Sequence, residues 1–162
     1  MEVNLMLEFQ VFSFYSGRQH IEFEFIEWGS VKYIQSLALR HEVLRKPLGM
    51  VFDPAIFPEE NGDIHLVANH GDWLVGCMIL TESGNDLKMR QVAVANKYRK
   101  NKVGARMVLL SEAKAIEMGK KKMILHARDS ALDFYVSLGY SIVGDQFEEV
   151  GIPHHLMEKS FV

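Results

Sequence analysis

The sequence predicts a mixed α/β domain, and three patterns carry that prediction. Residues 21–28 alternate apolar and acidic side chains over most of their length, which is typical of a strand with one face in water. Residues 64–68, 73–81 and 87–95 resemble strands joined by two hairpin-type connections, as in a β-meander. Two longer segments repeat apolar residues at helical spacing. Because three strands follow one another in a meander, the fold is not expected to be doubly wound.

The first helix is predicted directly after the first strand. Gly29 breaks the strand, and Ser30 is suited to cap a helix. Apolar side chains then recur at steps of three and four residues, so the helix is expected to run to about Arg45. Pro47 is expected to end it, because the residue before a proline is pushed out of helical geometry. A loop rich in Pro, Asp and Glu is expected over residues 50–62.

The second half of the chain adds two helices and further strands. A long amphipathic helix is expected to begin near Val103 and to end at Gly119, and residues 123–127 match a short buried strand. Ser130 and Asp133 resemble a capping box that opens a short helix. That short helix is expected to end at Gly139. The last two strands are expected at residues 140–143 and 156–161.

Composition excludes several classes of protein. With 162 residues, 48% of them hydrophobic, the chain is expected to form one domain over residues 1–162, with residues 1–20 as an N-terminal extension. Those first residues are expected to be an extra strand, an arm that binds a partner, or an artefact of the assigned translation start. The net charge of −3 argues against nucleic acid as a partner. The lone cysteine, Cys77, and the lack of a long apolar run favour a cytoplasmic protein that does not bind membranes.

The segment over residues 92–105 carries the clearest chemical signal. An apolar strand end is followed by a turn containing Arg99, Lys100 and Lys102, and then by the start of a helix. The first turn of a helix exposes unpaired N–H groups and carries about half a positive charge, so this arrangement suits a diphosphate. Gly104 lets a ligand approach the backbone closely. The alternative is an ordinary solvated helix start with surface lysines.

Several motifs in this order resemble the GNAT superfamily of acyl-CoA-dependent N-acetyltransferases. The strand end Val92-Ala93-Val94 followed by Arg99-x-x-Lys102-x-Gly104 is similar to the family's cofactor turn, with Lys102 where the first glycine usually stands. The block Phe134-Tyr135-x-x-x-Gly139-Tyr140 matches a second family motif. Gly151-Ile152-Pro153-His154, together with residues 39–49, is similar to a bacterial subgroup of largely uncharacterised members.

The resemblance implies a fold and a cofactor. The fold is a mixed, mostly antiparallel sheet of about six to seven strands flanked by helices, in which the fourth and fifth core strands splay apart. The cofactor is acetyl-CoA, with CoA as the product. The resemblance assigns it to one set of residues: Val92, Ala93, Val94, Arg99, Lys100, Asn101, Lys102, Val103, Gly104, Ala105 and Ser130.

The resemblance also implies catalytic roles. Tyr135 corresponds to the tyrosine that protonates the leaving thiolate, and the alternative is a tyrosine of the core. The family often places a base on the fourth core strand, but Lys88 and Arg90 stand there. The predicted base is His126, on the next strand, for which the alternative is an ordinary polar side chain. Further candidates are Glu82, Glu149 and His154, and each has a bland alternative as an ordinary polar side chain. Arg90 and His154 are predicted to contact the substrate.

The acceptor is expected to be a small-molecule or peptide amine, and a homodimer is compatible with the family. A non-catalytic acyl-CoA sensor or interaction module of the same fold is the competing hypothesis. No spacing of His65, His70, Cys77, His154 and His155 is typical of a metal site, so no metal is expected.

Overall fold

The computed structural model describes residues 11–16, 19–51 and 57–161. The strands are β1 (Val11–Ser16), β2 (Gln19–Ile26), β3 (Ile64–His70), β4 (Trp73–Ser83), β5 (Asp86–Val94), β6 (Lys122–Arg128), β7 (Ser141–Glu149) and β8 (Ile152–Ser160). The α-helices of the described residues are α1 (Val31–Arg40), α2 (Val103–Glu117) and α3 (Leu132–Ser137). Within this part of the chain, no helix is long and apolar enough to cross a bilayer.

The strands form an eight-stranded sheet in the order β1-β2-β3-β4-β5-β6-β8-β7. The predicted mixed, mostly antiparallel sheet is confirmed: β5 and β6 run parallel, while β1–β2, β2–β3, β3–β4, β6–β8 and β7–β8 are antiparallel. The count exceeds the predicted six to seven because β1 pairs with β2 from Val11↔Glu24 to Ser16↔Gln19. An extra strand was one expectation for the first twenty residues, of which residues 1–10 and 17–18 lie outside the described part.

The chain divides into two compact units. Unit 1 comprises Met1–Leu80 and Gln91–Leu109, and unit 2 comprises Thr81–Arg90 and Leu110–Val162. Strands β4 and β5 each contribute residues to both units. The predicted meander of β3, β4 and β5 is therefore divided between the units.

In unit 1 the sheet carries a helix on each face. Val67, Cys77 and Ala93 are buried on one face, where Leu39, Val43 and Leu44 of the first helical segment pack against them. On the other face Gly76 allows α2 to approach closely, since a Cβ there would lie 2.8 Å from the Met107 sulfur and 3.3 Å from a Val103 methyl group. Ser30 caps α1 as predicted, accepting a hydrogen bond from the Tyr33 N–H at 3.2 Å.

The first helical segment ends differently from the prediction. The α-helix stops at Arg40 and continues as a π-helical turn, His41–Arg45, and a 3-10 turn, Lys46–Leu48. Lys46 keeps helical angles (φ −54°, ψ −44°) although Pro47 follows it. The steric effect of proline disfavours this conformation without forbidding it, and the segment ends instead at Gly49, whose φ is +67°.

In unit 2, one side chain of β8 connects α2 with the end of α3. Lys159 of β8 donates to a Glu112 carboxylate oxygen of α2 at 2.7 Å and to the Leu138 carbonyl oxygen, beyond the end of α3, at 2.8 Å. The predicted capping box is wrong, because Ser130 lies in a 3-10 turn, Asp129–Ala131, and the N-cap of α3 is Ala131 without a side-chain hydrogen bond. The 3-10 turn displaces the helix start by one residue from the position that Ser130 could cap.

Candidate active site

Strand β5 pairs with β6 along only part of its length. Its ladder with β6 covers four residue pairs, from Asp86↔Lys122 to Met89↔Leu125, while β5 itself continues to Val94. Two residues beyond the last pair, Gln91 has a φ of +52°, a left-handed conformation of the kind found at β-bulges. The ladder with β6 therefore ends before Val92, the first of the residues predicted to bind the cofactor.

The three residues at the end of β5 present different groups. The Ala93 side chain is 2% exposed and belongs to the unit 1 core, so this residue offers a ligand only its backbone. Val92 and Val94 are half-buried. The strand is anchored just beyond its end, where the Ala95 N–H donates to the Val75 carbonyl oxygen at 2.8 Å.

The turn after β5 is tight because two lysines adopt left-handed backbone angles. A 3-10 turn, Asn96–Tyr98, is followed by Lys100 with a φ of +67° and Lys102 with a φ of +61°. Glycine adopts such angles at no steric cost, whereas in lysine the Cβ atom lies too close to the following carbonyl oxygen. Lys102 thus takes the conformation for which glycine is the usual residue, while placing a positive charge beside the helix start.

The start of α2 combines N–H groups that have no intrahelical acceptor with positive charge. The Arg106 N–H bonds to the Lys102 carbonyl oxygen at 3.0 Å, so Val103, Gly104 and Ala105 precede this first intrahelical bond. The first turn of α2 contains no acidic residue. Arg99, Lys100 and Lys102 are exposed, and the Val103 side chain is buried at 1% exposure. The geometry is that of an anion site at a helix N-terminus.

Two side-chain contacts that the sequence did not suggest hold this turn. Tyr98 is buried, and its hydroxyl lies 2.6 Å from the His70 Nδ1 atom of β3. The Asn101 amide donates to the Gln19 side-chain oxygen of β2 at 3.0 Å. An aromatic residue inside an otherwise basic turn was the only local signal for the first contact, and its partner stands 28 residues away.

Tyr135 lies in α3 with its side chain 5% exposed and its ring against those of Phe134 and Tyr140. Burial raises the pKa of its hydroxyl far above the usual value for tyrosine. The phenol is therefore protonated at every physiological pH. It can donate a hydrogen bond, but it is a weaker acid than an exposed tyrosine.

His126 lies on β6 beside a second predicted candidate, Glu149 at the end of β7. The His126 Nδ1 atom is 3.0 Å from one Glu149 carboxylate oxygen. The other oxygen lies 3.6 Å from the Nε2 atom of His154, which is 4% exposed. Burial by itself raises the pKa of Glu149, but the hydrogen bond and charge of His126 outweigh this and lower it. The structure thus brings together His126, Glu149 and His154, which the sequence analysis named as separate candidates.

Arg90 and Glu82 each contact another side chain. An Arg90 guanidinium nitrogen lies 3.3 Å from the Thr81 hydroxyl oxygen of β4. Glu82 pairs with Lys120 on the surface at 2.7 Å, and Ser130 is exposed. Lys88 contributes to the lowered pKa of Glu149 through its charge.

Two further histidines, His65 and His155, also have partners within the protein. His65 Nε2 lies 2.9 Å from the Glu60 carbonyl oxygen, and His155 Nδ1 lies 2.7 Å from an Asp129 carboxylate oxygen. Among the described residues, no group of three or more histidine, cysteine, aspartate or glutamate side chains is arranged to hold a metal ion.

A sequence model of the acetyltransferase (GNAT) domain matches residues 52–161, which is more than half of the chain. The chain belongs to the GNAT acetyltransferase family. A candidate acetyltransferase of Bacillus subtilis (strain 168) is 32% identical over 114 residues, which cover 70% of this chain and 76% of that protein.

Solved structures share the GNAT fold. A candidate N-acetyltransferase from Lactobacillus plantarum superposes with a TM-score of 0.78 at 20% identity, covering 88% of this chain and 99% of that one. An aminoglycoside 6'-N-acetyltransferase complexed with coenzyme A gives a TM-score of 0.73 at 19% identity, covering 86% of this chain and 97% of that one. At sequence identities this low, the structural similarity shows a shared fold and nothing about substrate.

Proposed function

We propose that the protein transfers the acetyl group of acetyl-CoA to a primary amine by direct attack of the amine on the thioester. The observation that carries this proposal is the start of α2, where free N–H groups, three basic side chains and the absence of acid in the first turn suit a diphosphate. Family membership supports the same cofactor. The acceptor is a small-molecule or peptide amine.

The cofactor residues divide by the group they offer. Backbone N–H groups of Val103, Gly104 and Ala105 face the diphosphate, and Arg99, Lys100 and Lys102 add charge. Asn101 and the exposed Ser130 contribute through polar groups. When bound, acetyl-CoA supplies an activated acetyl thioester.

The backbone at Val92, Ala93 and Val94 is assigned to the pantetheine arm and the thioester carbonyl. A strand N–H that donates to this oxygen stabilises the negative charge that develops there during attack. One such donor contributes roughly 3 kcal/mol to the lowering of a barrier.

His126 is the proposed base. Only about one alkyl amine molecule in 10³ is neutral at pH 7, so a group that accepts the proton of the attacking amine increases the reactive fraction. The contact with Glu149 supports His126 over the other candidates, because it leaves the second ring nitrogen available. Glu82 is engaged with Lys120.

Tyr135 is the proposed donor to the sulfur that leaves. As nitrogen bonds to the carbonyl carbon and the carbon–sulfur bond breaks, charge accumulates on sulfur, and the protonated phenol donates a hydrogen bond to it. Because burial raises the pKa of Tyr135, the hydrogen bond rather than complete early proton transfer is its main contribution. Arg90 and His154 are proposed to contact the acceptor.

Release of CoA measured with a panel of amines tests the proposal. Tyr135→Phe should lower kcat about tenfold or more and leave the KM for acetyl-CoA nearly unchanged. Tyr140→Phe is the matched control, since it removes a hydroxyl from the neighbouring buried ring, 5.7 Å away, and should retain kcat. Binding of acetyl-CoA without turnover of any amine would instead favour a non-catalytic sensor.

A further inference from the structure

The Glu149 carboxylate stands between two histidines of neighbouring strands. One oxygen lies 3.0 Å from His126 Nδ1 on β6, and the other lies 3.6 Å from His154 Nε2 on β8. Glu149 directly opposes Ile152 in the β7–β8 ladder. The two residues between them, Val150 and Gly151, have φ values of +48° and +74°, which form a two-residue hairpin turn. The turn sets the position of Glu149 relative to the start of β8.

The contact determines which nitrogen of His126 carries hydrogen. An ionised carboxylate can only accept hydrogen bonds, so the Nδ1 atom facing it must be the donor. A neutral ring then has its lone pair on Nε2. Burial alone would raise the pKa of Glu149, but the hydrogen bond from His126 keeps this pKa below its ordinary value, so the carboxylate is ionised at neutral pH.

The surroundings hold this arrangement in place. His154 Nδ1 lies 2.7 Å from the Ile152 carbonyl oxygen, which can only accept, and this fixes the His154 ring. The Phe147 ring contacts His126 edge-on at 5.0 Å between centroids and stacks on His154 at 5.9 Å. The charge of Lys88 on β5 also lowers the pKa of Glu149. Each histidine is therefore held both by a polar contact and by the same aromatic ring.

We propose that Glu149 is a positioning residue that holds His126 in the tautomer with hydrogen on Nδ1, which leaves Nε2 as the nitrogen that takes the proton of the acceptor amine. The second half of this statement rests on the proposed function. The first half concerns the free protein and is measurable without cofactor or acceptor.

The ring-nitrogen chemical shifts of His126, measured by 15N NMR on the full chain at pH 8.5, test the tautomer. The His126→Gln variant identifies the resonances. The wild-type ring should show a protonated Nδ1 and an unprotonated Nε2. In Glu149→Leu the Nδ1–H fraction should fall at least twofold. This variant should fold, because the Glu149 side chain is 46% exposed. Glu148→Leu changes the exposed neighbour and should leave the shifts as in the wild type.

Kinetics in a double-mutant cycle test the link to catalysis. Glu149→Leu should lower kcat about tenfold, whereas the same change in a His126→Gln background should cause no further loss, since its effect passes through His126. A purely structural role would lower kcat in both backgrounds alike, and that result would overturn the positioning role.

The two proposals fail separately. An unchanged His126 tautomer in Glu149→Leu overturns the positioning role even if His126 is essential for turnover. Full activity of His126→Gln removes the base from the proposed function, and with it the catalytic half of this inference, whatever the NMR result.

Discussion

At the scale of single residues, Lys102 shows how a departure from a family pattern is accommodated. Lys102 stands where the family's cofactor turn usually has its first glycine. Lys102 nevertheless has a φ of +61°, so the turn keeps the backbone conformation that glycine favours. The cost is local backbone strain, and the gain is a cation at the helix start.

Replacement of this lysine should therefore separate stability from binding. Lys102→Gly relieves a left-handed conformation that costs about 1–2 kcal/mol, partly offset by about 0.5–1 kcal/mol of added chain entropy. We therefore expect the free energy of unfolding to equal that of the wild type or to exceed it by up to about 1.5 kcal/mol. Affinity for CoA should fall about twofold to fivefold, because one exposed charge contact is lost.

Chemical denaturation and calorimetric titration with CoA measure the two effects. Lys97→Gly is the matched control, because Lys97 is exposed and has no positive φ; it should lower stability. Equal destabilisation by the two substitutions would contradict the account of strain at Lys102.

At the scale of elements, one substitution at the N-terminus of α2 should affect stability and cofactor affinity in opposite directions. Gly104→Glu places a carboxylate in the first helical turn, which the helix dipole favours, and replaces a poor helix former. The thermal midpoint should therefore be unchanged or higher. The same carboxylate repels a diphosphate, so affinity for acetyl-CoA should fall at least tenfold.

Calorimetric titration with acetyl-CoA and thermal unfolding check this pair of effects. Ile116→Glu adds the same acid at a position 59% exposed near the other end of α2 and should leave affinity unchanged. Unaltered affinity in Gly104→Glu would remove the diphosphate assignment.

A buried ion pair ties two elements of unit 1 together. Arg40 of α1 donates from two nitrogens to the two carboxylate oxygens of Glu60, each at 2.8 Å, and the Tyr33 hydroxyl donates to Glu60 at 2.7 Å. Burial alone would raise the pKa of Glu60, but the hydrogen bonds from Arg40 and Tyr33 outweigh it and lower the pKa. These contacts connect α1 to the 3-10 turn Pro58–Gly62.

This pair should make stability depend on acid. Because the pKa of Glu60 is lower in the folded than in the unfolded state, its contribution is present above the unfolded value of about 4.3 and is lost as the pH falls through the folded value. Glu60→Gln should lower the free energy of unfolding by about 3 kcal/mol at pH 7 and flatten its decrease below about pH 4.3. Denaturant unfolding between pH 7 and pH 3 checks this, with exposed Glu59→Gln expected to behave as the wild type.

At the scale of the whole molecule, the two compact units share strands. Residues of both β4 and β5 belong to each unit, so neither unit contains these strands complete. The chain passes from one unit to the other within β4, within β5 and within α2. This continuity supports the proposal of one domain over residues 1–162.

A single domain predicts a single cooperative transition. Differential scanning calorimetry should show one peak whose calorimetric and van't Hoff enthalpies agree. Two separable transitions, or a calorimetric enthalpy clearly above the van't Hoff value, would show that the units unfold independently and would contradict the proposal.

Much of the fold could be predicted because its signals are local. The apolar alternation at residues 21–28 and the helical spacing from Val103 depend on neighbours in sequence, and strand β2 and helix α2 follow them closely. The predictions failed where two local preferences competed. Lys46 stays helical before Pro47, and a 3-10 turn takes up Ser130 in place of the capping box.

By itself the sequence determined the family, through its motifs, and a basic helix start after an apolar strand, because each depends on residues adjacent in the chain. The mixed sheet followed from the resemblance to that family. Only the tertiary structure decided which polar groups meet. His126 and Glu149 are 23 residues apart and Arg40 and Glu60 are 20 apart. Such pairs form when strand register and helix packing bring distant segments together, and composition and spacing do not encode that geometry locally.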